Sequence, residues 1–390
     1  MIPSELLGAF GVPGSIEHIE RLTGGHIHET WAITVDHADG TNGATGAFGD
    51  GAGGDSSAAR RYVAQSLNAY VFADLAACEA NLARIDAHFH ARRADGRVAG
   101  AGGDEASVTV PRLRRTAAGA VHWTDATGTT WRLADYVESS VAGTTARDPG
   151  QAHEAGLAFG RYGRALSSMA GGPLAVTIDR FHDLRWRLRQ LDDAVTADPL
   201  DRLRDCRDTV SVAEVIVARL VDLIDDLPPL PVRSVHNDAK VANIRFDAHT
   251  GRAACIVDLD TTMPGTIVYD VGELLRTATT ATVEDDPSAL DATSIAVDVQ
   301  RVEAVVRGYV DGAGALLVDA ERAAMAHGGP LMAAENAIRF LADHLRGDVY
   351  FGADRAGHNL DRARTQLAIA EALREQATPI VTRVAEGSRR

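Results

Sequence analysis

The sequence predicts an α+β protein with two lobes, a small β-rich N-terminal lobe and a larger helical C-terminal lobe. At 390 residues the chain is longer than a single hydrophobic core usually supports. Residues 1–138 contain several β-type segments and one helical segment, whereas residues 139–390 are mainly helical in pattern. Two Gly- and Ala-rich stretches, at about 39–59 and 95–107, have little to bury, and we expect them to be flexible inserts in the first lobe.

The first lobe is expected to open with a glycine turn that leads into a strand ending near Val35, with a returning strand over 61–68. A helix beginning near Asp74 is indicated by apolar residues spaced three and four apart. Further strands are expected at 108–111 and 130–138, and they would complete the lobe.

In the second lobe, helices are expected over about 151–168, 331–345 and 359–384. Another helix is expected to begin at the capping box that starts with Ser211 and to end at Pro228. Residues 244–247 and 254–257 are expected to pair as a hairpin around the turn 248–251.

Lys240 is the only lysine of the chain, and the other side chains that make up the count of Lys and Arg are all Arg. It lies in the run Val235-His236-Asn237-Asp238-Ala239-Lys240-Val241-Ala242-Asn243. A lysine is a compact point charge that a wide guanidinium cannot replace in a tight phosphate site. The pattern H-x-D-x-K-x-x-N is typical of a phosphoryl-transfer loop, in which Asp accepts the proton of the attacking hydroxyl and Asn holds a metal ion. Asp238 is therefore the predicted base.

A second motif follows the predicted hairpin. An apolar run ends in Asp258-Leu259-Asp260, and the hairpin returns Asp258 to the end of the sheet that carries Asn243. One amide oxygen and one or two carboxylates suit Mg²⁺, which prefers oxygen ligands and completes its shell with water and nucleotide phosphates. Asn243, Asp258 and Asp260 are the predicted metal residues, although Asp260 could instead accept from a substrate hydroxyl.

Composition limits the partners of this protein. The formal net charge of -15 and pI of about 5.4 argue against nucleic acid, whose phosphates require a basic face. No stretch reaches the ~20 apolar residues of a membrane span, and the N-terminus lacks signal-peptide features, so a cytoplasmic protein is expected. Three separated cysteines indicate neither disulfides nor a zinc site. The chain could be a monomer or a homodimer.

Several motifs together resemble the aminoglycoside phosphotransferase superfamily, and within it the N-acetylhexosamine 1-kinase group most closely. The resemblance begins with the two motifs above and with Tyr269-Asp270-x-Gly272-Glu273-x-x-Arg276. It extends to Gly25-His26-Ile27-His28-Glu29-Thr30, Gln65-x-x-Asn68, Trp131-Arg132, Val137-Glu138, the segment from Arg339 to Phe351, and the segment from His358 to Arg364. Nearly the whole chain is covered apart from the two inserts. The resemblance implies a two-lobed protein-kinase-like fold with ATP bound between the lobes.

The same resemblance implies roles for individual residues. Asp238 would be the base, Asn243 and Asp258 would hold Mg²⁺, and Arg339, Tyr350 and Ile27 would contact the sugar. His28 stands where the group usually has Asn, at the turn expected to meet sugar and phosphate. The nucleotide is expected to meet Gly24, Gly25, Gln65 and Glu138. Because the small lobe has no lysine, Arg60, Arg61 or Gln65 would have to anchor the phosphates.

The predicted function is thus an ATP- and Mg²⁺-dependent sugar kinase. The resemblance implies that it phosphorylates the anomeric hydroxyl of N-acetylglucosamine or N-acetylgalactosamine, with Lys240 offsetting charge on the transferred group. The alternatives are the same fold acting on another hexosamine, a hexose, an aminoglycoside or an amino alcohol, and a catalytically inactive nucleotide-binding protein. The intact set Asp238, Lys240, Asn243 and Asp258 opposes the last of these.

Overall fold

A computed structural model describes residues 2–22, 28–36, 59–68, 72, 74–94, 108–280 and 295–387. The chain divides into two compact units. Unit 1 comprises Met1–Ala91 and Val110–Glu138, and unit 2 comprises Arg92–Thr109 and Ser139–Arg390. The small antiparallel sheet of the first unit and the larger helical second unit agree with the predicted α+β architecture. Both predicted Gly-rich inserts lie almost entirely outside the described residues.

Unit 1 is built on a five-stranded antiparallel sheet with the strand order β1-β2-β3-β5-β4. Its elements in chain order are α1 (Leu6–Ala9), β1 (Ser15–Leu22), β2 (Glu29–Asp36), β3 (Arg60–Ser66), α2 (Leu75–Ala94), β4 (Trp123–Thr124) and β5 (Thr130–Asp135). The central strands β2 and β3 are rich in β-branched and aromatic residues, which suit a pleated, half-buried surface.

The core of unit 1 forms where α1 packs on the sheet. Leu6 is fully buried there, and the rings of Trp31 and Trp131 lie 5.5 Å apart. Burial of these large side chains stabilises the unit by about 25 cal/mol per Å² of apolar surface removed from water. Trp131 is therefore a core residue, as its apolar neighbours on β5 suggest.

Unit 2 carries the remaining elements. In chain order they are β6 (Ser140–Val141), α3 (Pro149–Ser167), α4 (Leu184–Ala197), α5 (Leu203–Asp225), β7 (Arg233–Val235), β8 (Ile244–Asp247), β9 (Ala253–Ile256), β10 (Met263–Gly265), α6 (Ile267–Ala278), α7 (Val299–Ala313), α8 (Asp319–Arg346), α9 (His358–Ala372) and α10 (Thr378–Gly387). Two small sheets, β6-β8-β9 and β10-β7, support the loops of the candidate site. Helix α8 packs against α4, α5, α6, α9 and α10 and is mostly buried. No helix in the described ranges is long and apolar enough to cross a membrane.

The hairpin predicted at 244–257 is confirmed. Ile244 pairs with Ile256, and the carboxylate of Asp247 accepts backbone hydrogen bonds that close the turn. Asn243 and Asp258 therefore flank the same end of the hairpin, because each lies just outside its paired strand.

Helix α8 begins at Asp319 and not near 331, and the helix predicted over 359–384 is divided into α9 and α10 by a π-helical segment, Leu373–Ala377. The predicted start of α5 and one predicted strand are also wrong. Helix α5 begins at Leu203, eight residues before the capping box, because Cys206 and Val210 extend its buried face upstream and the Asp198 carboxylate accepts hydrogen bonds from Arg202 N and Leu203 N. Residues 108–111 do not form a strand of unit 1. Thr109 instead bridges to Cys255 of β9 in unit 2, where its carbonyl accepts from Ile256 N at 2.9 Å.

Candidate active site

The loop between β7 and β8 is held in one conformation by buried hydrogen bonds. The carboxylate of Asp270 on α6 accepts from His236 N at 3.1 Å and from Asn237 N at 2.8 Å. Asn237 adopts a left-handed backbone (φ 62°), which a side-chain amide tolerates better than most residues do. Its Nδ2 donates to the carbonyls of Val235, Thr261 and Met263, so it ties the loop to β7 and β10.

Asp238 follows this constrained turn, and its carboxylate has two direct partners among the described residues. Lys240 Nζ lies 2.9 Å from its Oδ2, and Asn243 Nδ2 donates to the same oxygen at 3.0 Å. The side chain is 21% exposed, so it is partly desolvated but still reachable. Burial acts to raise the pKa of Asp238, but the charges of Lys240, His236 and Arg276 and the hydrogen bond with Lys240 together outweigh it and hold the pKa below its usual value. The carboxylate is therefore ionised at neutral pH, as a proton acceptor must be.

The amide of Asn243 is oriented so that its oxygen could bind a metal. Because Nδ2 donates to both the carbonyl and the carboxylate of Asp238, Oδ1 points elsewhere and accepts no hydrogen bond from the described residues. The backbone places Asp258 close by, since Val257 N donates to Asn243 O at 3.0 Å. An amide oxygen and a neighbouring carboxylate are the donors that Mg²⁺ prefers, so these residues fit that ion.

Asp258 and Asp260 differ in their settings. Asp258 has a left-handed backbone (φ 61°), an uncommon conformation that costs about 1–3 kcal/mol for such a residue and is frequent at functional sites. Asp260 is buried, and its backbone carbonyl accepts from the hydroxyl of Thr177 at 3.0 Å. Within the described residues no cluster of three or more His, Cys, Asp or Glu side chains could hold a metal, so a metal here would depend on the amide as well as carboxylates.

Arg339 lies in the C-terminal half of α8, and Tyr350 lies just beyond the end of that helix. The Arg339 guanidinium is centred 5.4 Å from the ring of Phe181, 5.3 Å from that of Phe351 and 6.0 Å from that of Tyr350. Its only ion-pair contact in the described residues is with Glu335, at 3.9 Å, and its nitrogens donate no hydrogen bond there. The Tyr350 backbone is held over α8 because Asp343 Oδ1 accepts from its N–H at 2.8 Å. The donors of Arg339 are thus oriented but unused.

The sites predicted in unit 1 are placed only in part. Gly24, Gly25 and Ile27 lie outside the described residues. His28 is buried, and its Nδ1 accepts from Asn68 N at 3.1 Å. Gln65 accepts from the buried Arg132 at 2.7 Å, and Glu138 is ion-paired with Arg61. Their roles toward a nucleotide stay predictions.

Two residues near Arg339, Glu335 and Arg187, were not assigned a role from the sequence. Glu335 lies one helical turn before Arg339 and is fully buried, and it accepts from the buried His182 at 2.9 Å. Arg187 on α4 is 4.0 Å from the same carboxylate. The i, i+4 spacing of Glu335 and Arg339 was a signal in the sequence, but the approach of His182 from 153 positions away was not.

A braced loop carrying an ionised aspartate, a lysine and a metal-compatible amide defines a phosphoryl-transfer protein with a kinase-like fold. The chain belongs to the APH family, described as the phosphotransferase enzyme family, whose model matches residues 86–309. This match covers more than half of the chain and confirms the predicted superfamily.

Solved structures support the fold. An aminoglycoside phosphotransferase from Alicyclobacillus acidocaldarius subsp. acidocaldarius DSM 446 is 14% identical with a TM-score of 0.55, and the match covers 99% of this chain and 97% of that one. A spectinomycin phosphotransferase in complex with ADP and spectinomycin is 12% identical with a TM-score of 0.55, over 96% and 97% of the two chains. A microcompartment-associated aminopropanol kinase is 15% identical with a TM-score of 0.51, over 91% of each chain. At these identities the likeness is one of fold.

Proposed function

We propose that this protein is an ATP- and Mg²⁺-dependent kinase that phosphorylates N-acetylglucosamine or N-acetylgalactosamine at the anomeric hydroxyl, giving the sugar 1-phosphate. The observation that carries the choice of acceptor is the Arg339 guanidinium, which is fixed among aromatic rings while its donors are unused by the described residues. Such a group suits hydroxyl and amide oxygens, which accept charge-assisted hydrogen bonds. Aromatic rings beside it suit the apolar face of a sugar.

The charge near Arg339 also argues against an amine as acceptor. The carboxylate of Glu335 is surrounded by two guanidinium groups and one imidazole, which belong to Arg187, Arg339 and His182. Burial and the charge of Arg339 lower the pKa of Arg187 to about 10, as expected where cations are close and only partly compensated. Aminoglycosides and aminopropanol carry amino groups that are protonated at neutral pH, so like-charge repulsion would disfavour them here. A neutral N-acetylated sugar avoids this cost.

The residues of the loop would divide the chemistry between them. Asp238 accepts the proton of the attacking hydroxyl, and an anomeric hydroxyl is more acidic than an ordinary alcohol, so one carboxylate is an adequate base. Lys240 is 2.9 Å from Asp238 and can offset negative charge on the transferred group. Asn243, Asp258 and Asp260 would hold Mg²⁺, which supplies neutralisation of the nucleotide phosphates when bound.

An acceptor screen tests the proposal directly. Purified protein is given ATP and Mg²⁺ with a panel of N-acetylhexosamines, free hexosamines, hexoses, kanamycin and aminopropanol, and ATP consumption is measured. Phosphorus NMR of the product then reports which oxygen was phosphorylated. We expect N-acetylhexosamines to give the highest kcat/KM and a 1-phosphate product. Preferred turnover of kanamycin or aminopropanol would refute the acceptor assignment, and phosphate on another oxygen would refute the position.

A further inference from the structure

His182 links helix α8 to the loop that carries the proposed base. Its Nδ1 lies 2.9 and 3.1 Å from the two carboxylate oxygens of Glu335, and its Nε2 lies 2.8 Å from the backbone carbonyl oxygen of Asn237. The imidazole is buried, as is Glu335. Asn237 immediately precedes Asp238 and has the left-handed backbone that turns the chain toward the base.

The partners of the ring determine its protonation. A backbone carbonyl oxygen only accepts hydrogen bonds, so Nε2 must carry a hydrogen. An ionised carboxylate also only accepts, so Nδ1 must carry one too, and the ring is an imidazolium. The alternative, a neutral ring beside a protonated Glu335, is disfavoured because Arg187 at 4.0 Å and Arg339 at 3.9 Å both favour the carboxylate.

Charged and titratable groups face the ring from three helices. Glu335 and Arg339 approach from α8, and Arg187 from α4. From α6, the ring of Tyr269 lies 4.5 Å from the imidazole, and the charges of Asp270 and Glu273 act on it. Burial and Glu335 raise the pKa of Tyr269 to about 12, so its ionisation lies far above the working range.

We propose that His182 is a positioning residue for phosphoryl transfer: anchored by Glu335, it holds the Asn237 carbonyl and so fixes the turn that presents Asp238. This inference rests on the proposed role of Asp238 as base and does not depend on which sugar is the acceptor. Since Glu335 lies one turn from Arg339 on the same helix, the link also keeps the acceptor contact and the base on one buried framework.

The ion pair between His182 and Glu335 determines how the stability of this link depends on pH. Burial acts to lower the pKa of His182, but Glu335 outweighs it, and the pKa lies above the ordinary value of about 6.5. The stabilisation is therefore complete below that ordinary value and is lost as pH rises through the raised pKa of the folded state. Burial acts to raise the pKa of Glu335, but His182 and the arginines lower it, so its contribution is lost as pH falls through that depressed value. We expect kcat to decline on the alkaline side as the ring loses its charge.

Paired substitutions separate the two contacts of the ring. His182→Gln can still donate to the Asn237 carbonyl, whereas the shorter His182→Asn cannot reach it. We expect His182→Asn to lower kcat by about 10- to 100-fold, as a small misplacement of a catalytic group does, and His182→Gln to retain more activity. In both variants the KM for the acceptor and the KM for ATP should change by less than about threefold, because neither substrate site is removed. Both variants, and Glu335→Gln, should lose or shift the alkaline decline.

His327→Gln is the matched control, since this half-buried histidine lies on α8 and contacts neither Asn237 nor Glu335 among the described residues. It should keep both kcat and the alkaline decline of the wild type. A general loss of packing would instead lower thermal stability in all the variants while leaving the pH profile unchanged.

Nitrogen NMR of ¹⁵N-histidine-labelled protein measures the protonation of the two ring nitrogens of His182 without any substrate. The signal is assigned by its loss in His182→Gln. Two protonated ring nitrogens at pH 7 are expected, and a neutral ring would overturn the inference whatever the acceptor is. A charged ring with a wild-type pH profile in His182→Gln would overturn the positioning role. A charged ring and an altered profile, measured with whichever acceptor the screen finds, would support the inference even if that acceptor were not an N-acetylhexosamine.

Discussion

At the scale of single residues, Asp238 is set apart by how firmly its surroundings are fixed. The backbone before it is held by Asp270 and His182, and its carboxylate is held by Lys240 and Asn243. Each restraint reduces the freedom of the proposed base before substrate arrives, which would lower the entropic part of the barrier.

Asp238→Asn should retain the fold and lower kcat by about 10²–10⁴, because a positioned proton acceptor is lost while the amide keeps nearly the same shape. Steady-state kinetics with the best acceptor measure the change. Asp193→Asn, an exposed position on α4, is the control and should be unaffected. Activity of Asp238→Asn within a few-fold of wild type would remove Asp238 from the role of base.

Reductive methylation should inactivate the protein, and saturating ATP with Mg²⁺ should protect it. The reagent can modify only Lys240 and the N-terminal amine, and it keeps the charge but adds bulk to a group 2.9 Å from Asp238. Residual activity against time of treatment is measured with and without nucleotide. Lys240→Met is the control and should lose no further activity on treatment. Inactivation that nucleotide does not slow would place Lys240 away from the phosphates.

Arg339→Ala should raise the KM for the sugar by an amount equivalent to about 1.5–3 kcal/mol, the contribution of a hydrogen bond to a charged group. The KM for ATP should be nearly unchanged. The control is Arg346→Ala on the same helix, where the exposed guanidinium donates to the Gln190 carbonyl. If Arg339→Ala weakened ATP and spared the sugar, Arg339 would belong to the nucleotide site and the proposed acceptor site would be wrong.

At the scale of elements, helices α3 and α7 approach each other through glycines on both sides. A Cβ on Gly156 would lie 2.2 Å from the Val305 carbonyl oxygen, and a Cβ on Gly308 would lie 2.1 Å from that of His153. Gly160 and Gly312 repeat the same arrangement one turn further along. Backbone-to-backbone contact of this kind leaves no room for a side chain, so the close approach depends on these residues.

Gly308→Ala should therefore destabilise the protein by about 1–3 kcal/mol through overpacking, with a lower midpoint in urea unfolding. Gly163→Ala on α3 is the matched control, because its new Cβ would meet no atom closer than Leu316 Cδ2 at 4.0 Å. That variant should be neutral or more stable by about 0.5–1 kcal/mol, the helix preference for Ala over Gly. Equal destabilisation in both variants would show that the contact between these helices is not as tight as the structure has it.

At the scale of the whole molecule, the net charge and the charge near Arg339 have opposite signs. The chain carries -15 overall, so polycationic aminoglycosides are attracted to its surface without specificity. The cluster of Arg187, Arg339 and His182 around Glu335 would repel them at the proposed acceptor site. Binding and turnover should therefore separate for such compounds.

Kanamycin should bind weakly in a way that salt abolishes, and it should not be phosphorylated. Calorimetry at about 10 mM and about 150 mM ionic strength, where the screening length falls from roughly 30 to roughly 8 Å, measures the binding. N-acetylglucosamine is the uncharged control, and its KM should not depend on salt. Efficient phosphate transfer to kanamycin at the higher ionic strength would contradict the proposed charge selection.

The sequence by itself determined the α+β class, the hairpin at 244–257 and the residue types of the candidate catalytic loop. These follow from local rules, since strand alternation, turn residues and a short motif are all set by neighbours in the chain. Apolar periodicity also located α2 and α3 closely, but local capping signals misplaced the start of α5 because its buried face continues upstream of Ser211.

Only the tertiary structure decided which distant residues support the loop. Nothing near His182 in the chain indicates that it meets Glu335 153 positions later and the carbonyl of Asn237 55 positions later. The placement of the Arg339 guanidinium over the ring of Phe181 likewise depends on the packing of distant elements. Such contacts between elements far apart in sequence arise from the packing of α4, α6 and α8, and packing is a property of the whole core that no local pattern encodes.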